Sequence, residues 1–298
     1  MPAMQITSLP DVLVLGVGGT LGEAWLRGVL SGVESASDLD FRTCAHFVGS
    51  SAGSIVAATL AAGRRPRAGD RAAREWAEAA PASDQDKGLL ARAAGLGMAA
   101  ATPIAPLAMA GAAPAGRAVR AAALRAAPRG TRSLGGLGRS LDEAGVRFDG
   151  RLRISAVDLR SGRRVMFGAP GAPEATVSQA VLASCAVPGV FTPVEIGGRE
   201  YVDGGVWSPT NLDAAPAGRG ADVLCLVPTA TAFRLLRAFS TTAVATETLA
   251  LRARGANVRT VVPDAASAAA MGTNLMNSGR VEQVLDAAFA QGRSMASG

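Results

Sequence analysis

The chain of 298 residues has one histidine, His46, one lysine, Lys87, and one tyrosine. A single histidine excludes mechanisms that need a histidine pair. The three cysteines, Cys44, Cys185 and Cys225, are odd in number and show no CxxC spacing. That argues against a disulfide framework and against a zinc site. Aromatic residues make up only 4%, too few to offer stacking platforms to nucleic-acid bases. The glycines follow no Gly-X-Y period, which excludes collagen. Long apolar runs are also missing. The longest uncharged stretch, Ala93–Gly116, is weakly apolar and is broken by Pro103, Pro106 and Pro114, a poor match to a membrane-spanning helix of ~20 apolar residues. The opening MPAMQITSLPDV has no basic segment followed by an apolar one, so no secretory leader is expected and a cytoplasmic location is.

What is present suffices for a core. Hydrophobic residues make up 49% and charged residues 18%, which excludes a disordered chain. The net charge of +6 comes almost wholly from arginine and favours an anionic partner such as a membrane surface. Short apolar runs at Val12–Leu15, Phe41–Val48, Leu152–Val157, Val165–Phe167, Asp222–Val227 and Val258–Val262 read as strands. Val194–Ile196 and Glu200–Val202 flank Gly197-Gly198 and read as a hairpin. Helical patterns cover about Gly22–Leu30, Ser54–Ala62, Val177–Ala183, Ser240–Arg254 and Arg280–Gln291. Strands alternating with helices predict an α/β fold with a mainly parallel sheet.

Residues 64–150 differ in composition, being rich in Ala, Arg, Gly and Pro. They read as an inserted helical cap on a single domain whose core is about 12–63 and 150–292. Arg117, Arg120, Arg125, Arg129 and Arg132 recur at helical spacing, which predicts a basic face suited to peripheral contact with an anionic membrane.

Three local patterns carry chemistry. Gly49-Ser50-Ser51-Ala52-Gly53 fits G-x-S-x-G between a predicted strand and a predicted helix. Such a turn lifts a serine oxygen clear of a sheet and beside a helix N-terminus. A serine hydroxyl needs a base. His46 lies in the strand leading to the turn, where it cannot fold back over Ser51. The base is then a carboxylate, or a histidine from another chain. Gly16-Val17-Gly18-Gly19-Thr20-Leu21-Gly22 misses the dinucleotide fingerprint by one position. Its glycine amides, those of Gly18 and Gly19 above all, suit an oxyanion hole. In Tyr201-Val202-Asp203-Gly204-Gly205 a carboxylate stands where a strand meets a double glycine. Partial burial there would raise its pKa and make it a better proton acceptor.

Together, in this order and without a usable histidine, these elements resemble the patatin-like phospholipase family. Ala183-Ser184-Cys185-Ala186-Val187-Pro188-Gly189-Val190-Phe191-Thr192-Pro193 resembles the segment before that family's Asp-Gly-Gly/Ala motif, and Ser208-Pro209-Thr210-Asn211 continues the match. The resemblance implies a three-layer α/β/α core and a Ser–Asp dyad, with Ser51 as nucleophile and Asp203 as general base. It implies Gly18 and Gly19 as oxyanion donors, with Gly22, Gly49, Gly53, Gly204 and Gly205 as motif glycines. The family's triple glycine reads Val17-Gly18-Gly19 here, and Leu21 stands where the family often has Arg or Lys.

The expected activity is a serine acyl hydrolase of lipid esters, of phospholipase A type, needing no cofactor or metal. The motifs themselves imply only acyl transfer. A catalytically silent lipid-binding protein of the same fold, and a non-lipid esterase or acyltransferase, stay open as alternatives. Head group, chain length and oligomeric state are not encoded in these patterns.

Overall fold

The computed structural model describes residues 4–66, 114–231 and 234–296. The uncharged stretch up to residue 113, and most of the expected cap, lie outside the described residues. In chain order the main elements are β1 (Val12–Leu15), α1 (Gly19–Ser35), β2 (His46–Gly49), α2 (Ala52–Ala61), α3 (Pro114–Ala126) and α4 (Gly135–Glu143). There follow β3 (Leu152–Asp158), β4 (Arg164–Phe167), α5 (Val177–Cys185), β5 (Val194–Ile196) and β6 (Arg199–Asp203). The chain continues through β7 (Asp222–Leu226), α6 (Arg234–Ala253), β8 (Asn257–Val261), α7 (Ala265–Met271) and α8 (Val281–Ala296).

The strands form one eight-stranded sheet in the order β5-β6-β3-β2-β1-β7-β8, with β4 pairing β3. The pairings β3–β2–β1–β7–β8 are parallel, while β4, β5 and β6 add an antiparallel end. Both faces are covered, so the parallel strands are apolar on both sides. Leu13, Leu15, Phe47, Ile154, Leu224 and Leu226 face one layer, with α1, α2, α4, α5, α7 and α8. Val12, Val14, Val48, Val223 and Cys225 face the other, with Leu251 of α6. Val157 and Val202 continue that second face and meet Leu124 of α3. The result is three layers, α/β/α. The first layer is tightened where α1 crosses α8. A Cβ on Gly32 would lie 2.2 Å from the Phe289 carbonyl oxygen, and one on Gly292 2.2 Å from that of Val29, so only glycine allows this approach.

Several elements depart from the sequence reading. The apolar run Phe41–Val48 is a 3₁₀ turn at Phe41–Thr43 followed by a short strand from His46, because Asp40 caps the turn through the Arg42 amide. Helix α1 begins at Gly19, three residues earlier than periodicity suggests, since the glycines themselves form its first turn. The Gly197-Gly198 hairpin is present, with φ of 58° and 73° at its two glycines. One arginine of the expected basic face is corrected. Arg120 is only 1% exposed, stacked 4.3 Å from the Trp207 ring and donating to the Gly162 carbonyl. Arg129 is paired with Glu200 at 2.7 Å. The helix turns Arg120, Ala121 and Leu124 onto the sheet, so a residue counted among the solvated arginines belongs to its buried side. Among the described residues, no helix is long and apolar enough to cross a membrane.

One seam in the sheet positions the site. Strand β3 meets β4 along Ile154–Val157. Its other edge pairs with β2 as far as Ile154, opposite Gly49, and with β6 from Ala156, opposite Asp203. Strand β2 leaves the edge at the elbow, and β6 takes it over two residues later, running the opposite way. The C-terminal ends of β2 and β6 therefore converge.

Candidate active site

Ser51 follows the C-terminal end of β2 and is the N-cap of α2. Its backbone has φ 51° and ψ −122°, a conformation that costs a non-glycine residue roughly 1–3 kcal/mol and is usually held only by a tightly built surround. The surround is present. The Ser50 amide donates to the Leu15 carbonyl at 3.0 Å and the Gly53 amide to the Ser50 carbonyl at 2.9 Å. The Ser51 amide donates to Ser184 Oγ at 2.8 Å. A Cβ on Gly53 would lie 2.0 Å from the Leu15 carbonyl oxygen, and one on Gly49 2.5 Å from Ser54 Cα. Both are backbone obstacles. Gly53→Ala is expected to destabilise the fold by about 3 kcal/mol or more, read as a lowered urea midpoint. An unchanged midpoint would mean that α2 need not approach β1 this closely.

Asp203 ends β6 and is buried like Ser51, the two being 5% and 4% exposed. Gly205 donates its amide to Asp203 Oδ1 at 2.6 Å, and Gly204 packs where a Cβ would strike Ser155. Burial pushes the carboxyl up to about 6 from 3.8, opposed by the Ser51 hydroxyl facing it and by the Gly205 amide. The seam in the sheet thus brings together a serine and an aspartate 152 positions apart.

The glycine turn stands beside them, at the end of β1. Val17 gives its amide to the Pro209 carbonyl, Leu21 to that of Leu275, and Gly22 to that of Gly18. Among the described residues, the amides of Gly18, Gly19 and Thr20 meet no acceptor. These are the orphan donors of the α1 N-terminus. Gly19 has φ 58°, and a Cβ on Gly18 would strike Gly22 and Pro228. Thr20 was not singled out from the sequence. Its Oγ1 is buried and has no hydrogen-bond partner among the described residues. It shares a face of α1 with Glu23 and Arg27, which are paired at 2.9 Å. Arg27 reaches Thr59 on α2, and the Glu23 charge is felt at the Cys185 thiol, next to Ser51.

His46 is far from this group. It is the first residue of β2, opposite Val12, whereas Ser51 follows the strand's other end. Burial and the nearby Arg153 and Arg151 charges hold its pKa below the usual value.

A family model for patatin-like phospholipases matches residues 13–216, which span all of these elements. The chain belongs to the patatin-like phospholipase family. Members of this family are lipid acyl hydrolases that act on lipid substrates. Among solved structures, VipD from Legionella pneumophila is similar, at 15% identity over 94% of this chain and 67% of that one, with a TM-score of 0.39. No curated protein matches in sequence. In this patatin-like chain Leu21, at the position where the family often has Arg or Lys, is fully buried. It is part of the packing and offers no charge to the site.

Proposed function

We propose that this patatin-like protein hydrolyses lipid acyl esters, of phospholipase A type, through a Ser51–Asp203 dyad. The observation that carries the reading is the convergence of a backbone-strained Ser51 on a buried carboxylate, beside three amides that meet no acceptor among the described residues. In this scheme Asp203 takes the Ser51 proton as the oxygen attacks the ester carbonyl. The carbonyl oxygen, now negative, is received by the Gly18 and Gly19 amides, with Thr20 adjacent. The alkoxide leaves with the proton from Asp203, giving an acyl-Ser51. Water, deprotonated by Asp203, then attacks the acyl carbon, and Ser51 recovers its proton as the fatty acid departs. The three cysteines, all buried and free, favour a reducing compartment, so the proposed place of action is the cytoplasm, with lipid met at a membrane surface.

A fluorophosphonate probe tests the dyad, and a panel of p-nitrophenyl esters and phospholipids tests the substrate class. Wild type is expected to be labelled at one site and to release fatty acid from phospholipid vesicles. Ser51→Ala should lose both. His46→Gln should keep most of its turnover, since His46 lies at the opposite end of β2. A folded His46→Gln without activity, or labelling that persists in Ser51→Ala, contradicts the dyad. Hydrolysis of short esters with none of lipids contradicts the substrate class.

A further inference from the structure

The convergence of β2 and β6 leaves a gap that no sheet ladder closes. Both strands pair with β3 and not with each other, so no backbone hydrogen bond of the sheet ties the turn carrying Ser51 to the turn carrying Asp203. Ser155 lies in β3 between the two pairings. Its Oγ is 2.7 Å from Ser50 Oγ, and the remaining space is filled by the side chain of Asn211. Asn211 is fully buried and has a left-handed backbone, φ 52° and ψ 33°. Its Nδ2 lies 3.0 Å from Ser50 Oγ, 3.2 Å from Ser155 Oγ, 3.3 Å from the Gly204 carbonyl oxygen and 2.9 Å from that of Ser208. Two carbonyl oxygens at one end require the nitrogen there. At the other end Oδ1 accepts from Arg164 Nη1 at 3.3 Å. Arg164 is itself held by Asp213 at 2.5 and 2.9 Å.

We propose that Asn211 is a positioning residue, whose side-chain amide fixes the distance between Ser51 and Asp203 by bridging their immediate neighbours, Ser50 and Gly204. This rests on the reading of Ser51 and Asp203 as the reacting pair. The end of α5 also holds both turns, accepting the Ser51 amide at Ser184 Oγ (2.8 Å) and the Asp203 amide at the Ala186 carbonyl (3.0 Å); the Asn211 amide, planar and anchored at both ends, adds a second and direct span between them. Displacements of about 1 Å in a reacting pair cost about 10²-fold in rate. Loosening the bridge also weakens the contact of the Ser51 hydroxyl with the carboxylate. That contact lowers the Asp203 pKa against the effect of burial, so its loss moves the acid limb of activity to higher pH. A residue that merely supported the fold would not move that limb in the folded fraction.

The test uses Asn211→Gly, which accepts the left-handed backbone without the amide, and Asn211→Asp, which keeps the shape but replaces the donor by an acceptor. Two quantities are read against pH on the folded full-length protein. They are the rate of fluorophosphonate labelling, and kcat and KM for a short soluble p-nitrophenyl ester. Both variants should label and turn over about 10²-fold more slowly, with KM changed by less than about threefold, and the acid limb should be displaced upward in Asn211→Gly, the variant that adds no charge beside Asp203. Wild-type rates with an unmoved limb, or a loss confined to KM, would overturn the assignment. If neither variant folds, Ser155→Ala removes one arm of the bridge. It should slow labelling about tenfold with the limb displaced in the same direction, and an unmoved limb there overturns the proposal equally. Labelling of wild type that Ser51→Ala abolishes tests the underlying dyad separately. If that control fails, the reading of the site fails. If only the Asn211 and Ser155 results fail, the dyad stands without its bridge.

Discussion

Asp203→Asn is expected to lower kcat by about 10³-fold or more, and Ser51→Ala at least as far. The double variant should lose little beyond either single change. A positioned general base contributes about 10²–10⁴-fold, and asparagine fills the same space while accepting no proton. A nucleophile and its base act as one unit, so their removal is not additive. The geometry makes the test clean. Asparagine can still accept the Gly205 amide through Oδ1, the bond now made at 2.6 Å, so the strand end need not move. The expected split is a fall in kcat with KM little changed, because in the proposed scheme Asp203 takes the proton and does not hold the acyl chain. Full activity in Asp203→Asn would remove the carboxylate from the mechanism. A double variant as slow as the product of the single losses would mean that the two residues act independently.

The second large effect couples activity to stability in opposite directions. With its carboxyl raised to about 6 by burial, Asp203 is protonated through the mildly acidic range, and activity should fall as pH drops through about 6. The limb should persist in His46→Gln, whose imidazole lies at the other end of β2. Stability runs the other way. A carboxyl that binds its proton more tightly folded than unfolded adds no penalty below the unfolded pKa. It destabilises increasingly as pH rises from 3.8 to about 6, and the penalty is constant above that. Two pH units at 1.36 kcal/mol each set its size at up to about 3 kcal/mol. Asp203→Asn should therefore be the more stable protein at pH 8, melting several degrees above wild type, with the difference nearly gone at pH 4. The same burial that suits the carboxylate to the proposed base role destabilises its charged form in the fold. Thermal melts at the two pH values check this, and an equal shift at both would show that Asp203 carries no burial penalty.

How much was legible in the sequence varies with how local the cause is. The strands Val12–Leu15 and Leu152–Asp158 and the Gly197-Gly198 hairpin follow from runs of apolar residues and from a glycine pair in a two-residue loop. The elbow at Ser51 was legible because steric crowding at a strand-to-helix turn admits only small neighbours, and that demand is written in adjacent residues. Asp203 was legible as a carboxylate before two glycines, with family resemblance supplying its role. The burial of Arg120 was not legible. A helical arginine spacing is the same whether the stripe meets water or Trp207, and the outcome depends on which face of α3 the sheet accepts. The roles of Thr20 and Asn211, named only as parts of longer motifs, were missed for a related reason. Thr20 is notable only because no acceptor among the described residues reaches its hydroxyl, an absence that no neighbouring residue encodes. Asn211 lies 161 positions from Ser50, and nothing near it in the chain marks its amide as a bridge. The sequence by itself determined an alternating α/β chain with a serine at a strained turn, because backbone sterics and hydrophobic periodicity act over a few residues. Only the tertiary structure decided that β6 takes over the edge β2 abandons, since strand pairing joins segments far apart in the chain. That exchange places the carboxylate against the serine and buries it there, and burial, a property of the whole packed layer, sets its proton affinity.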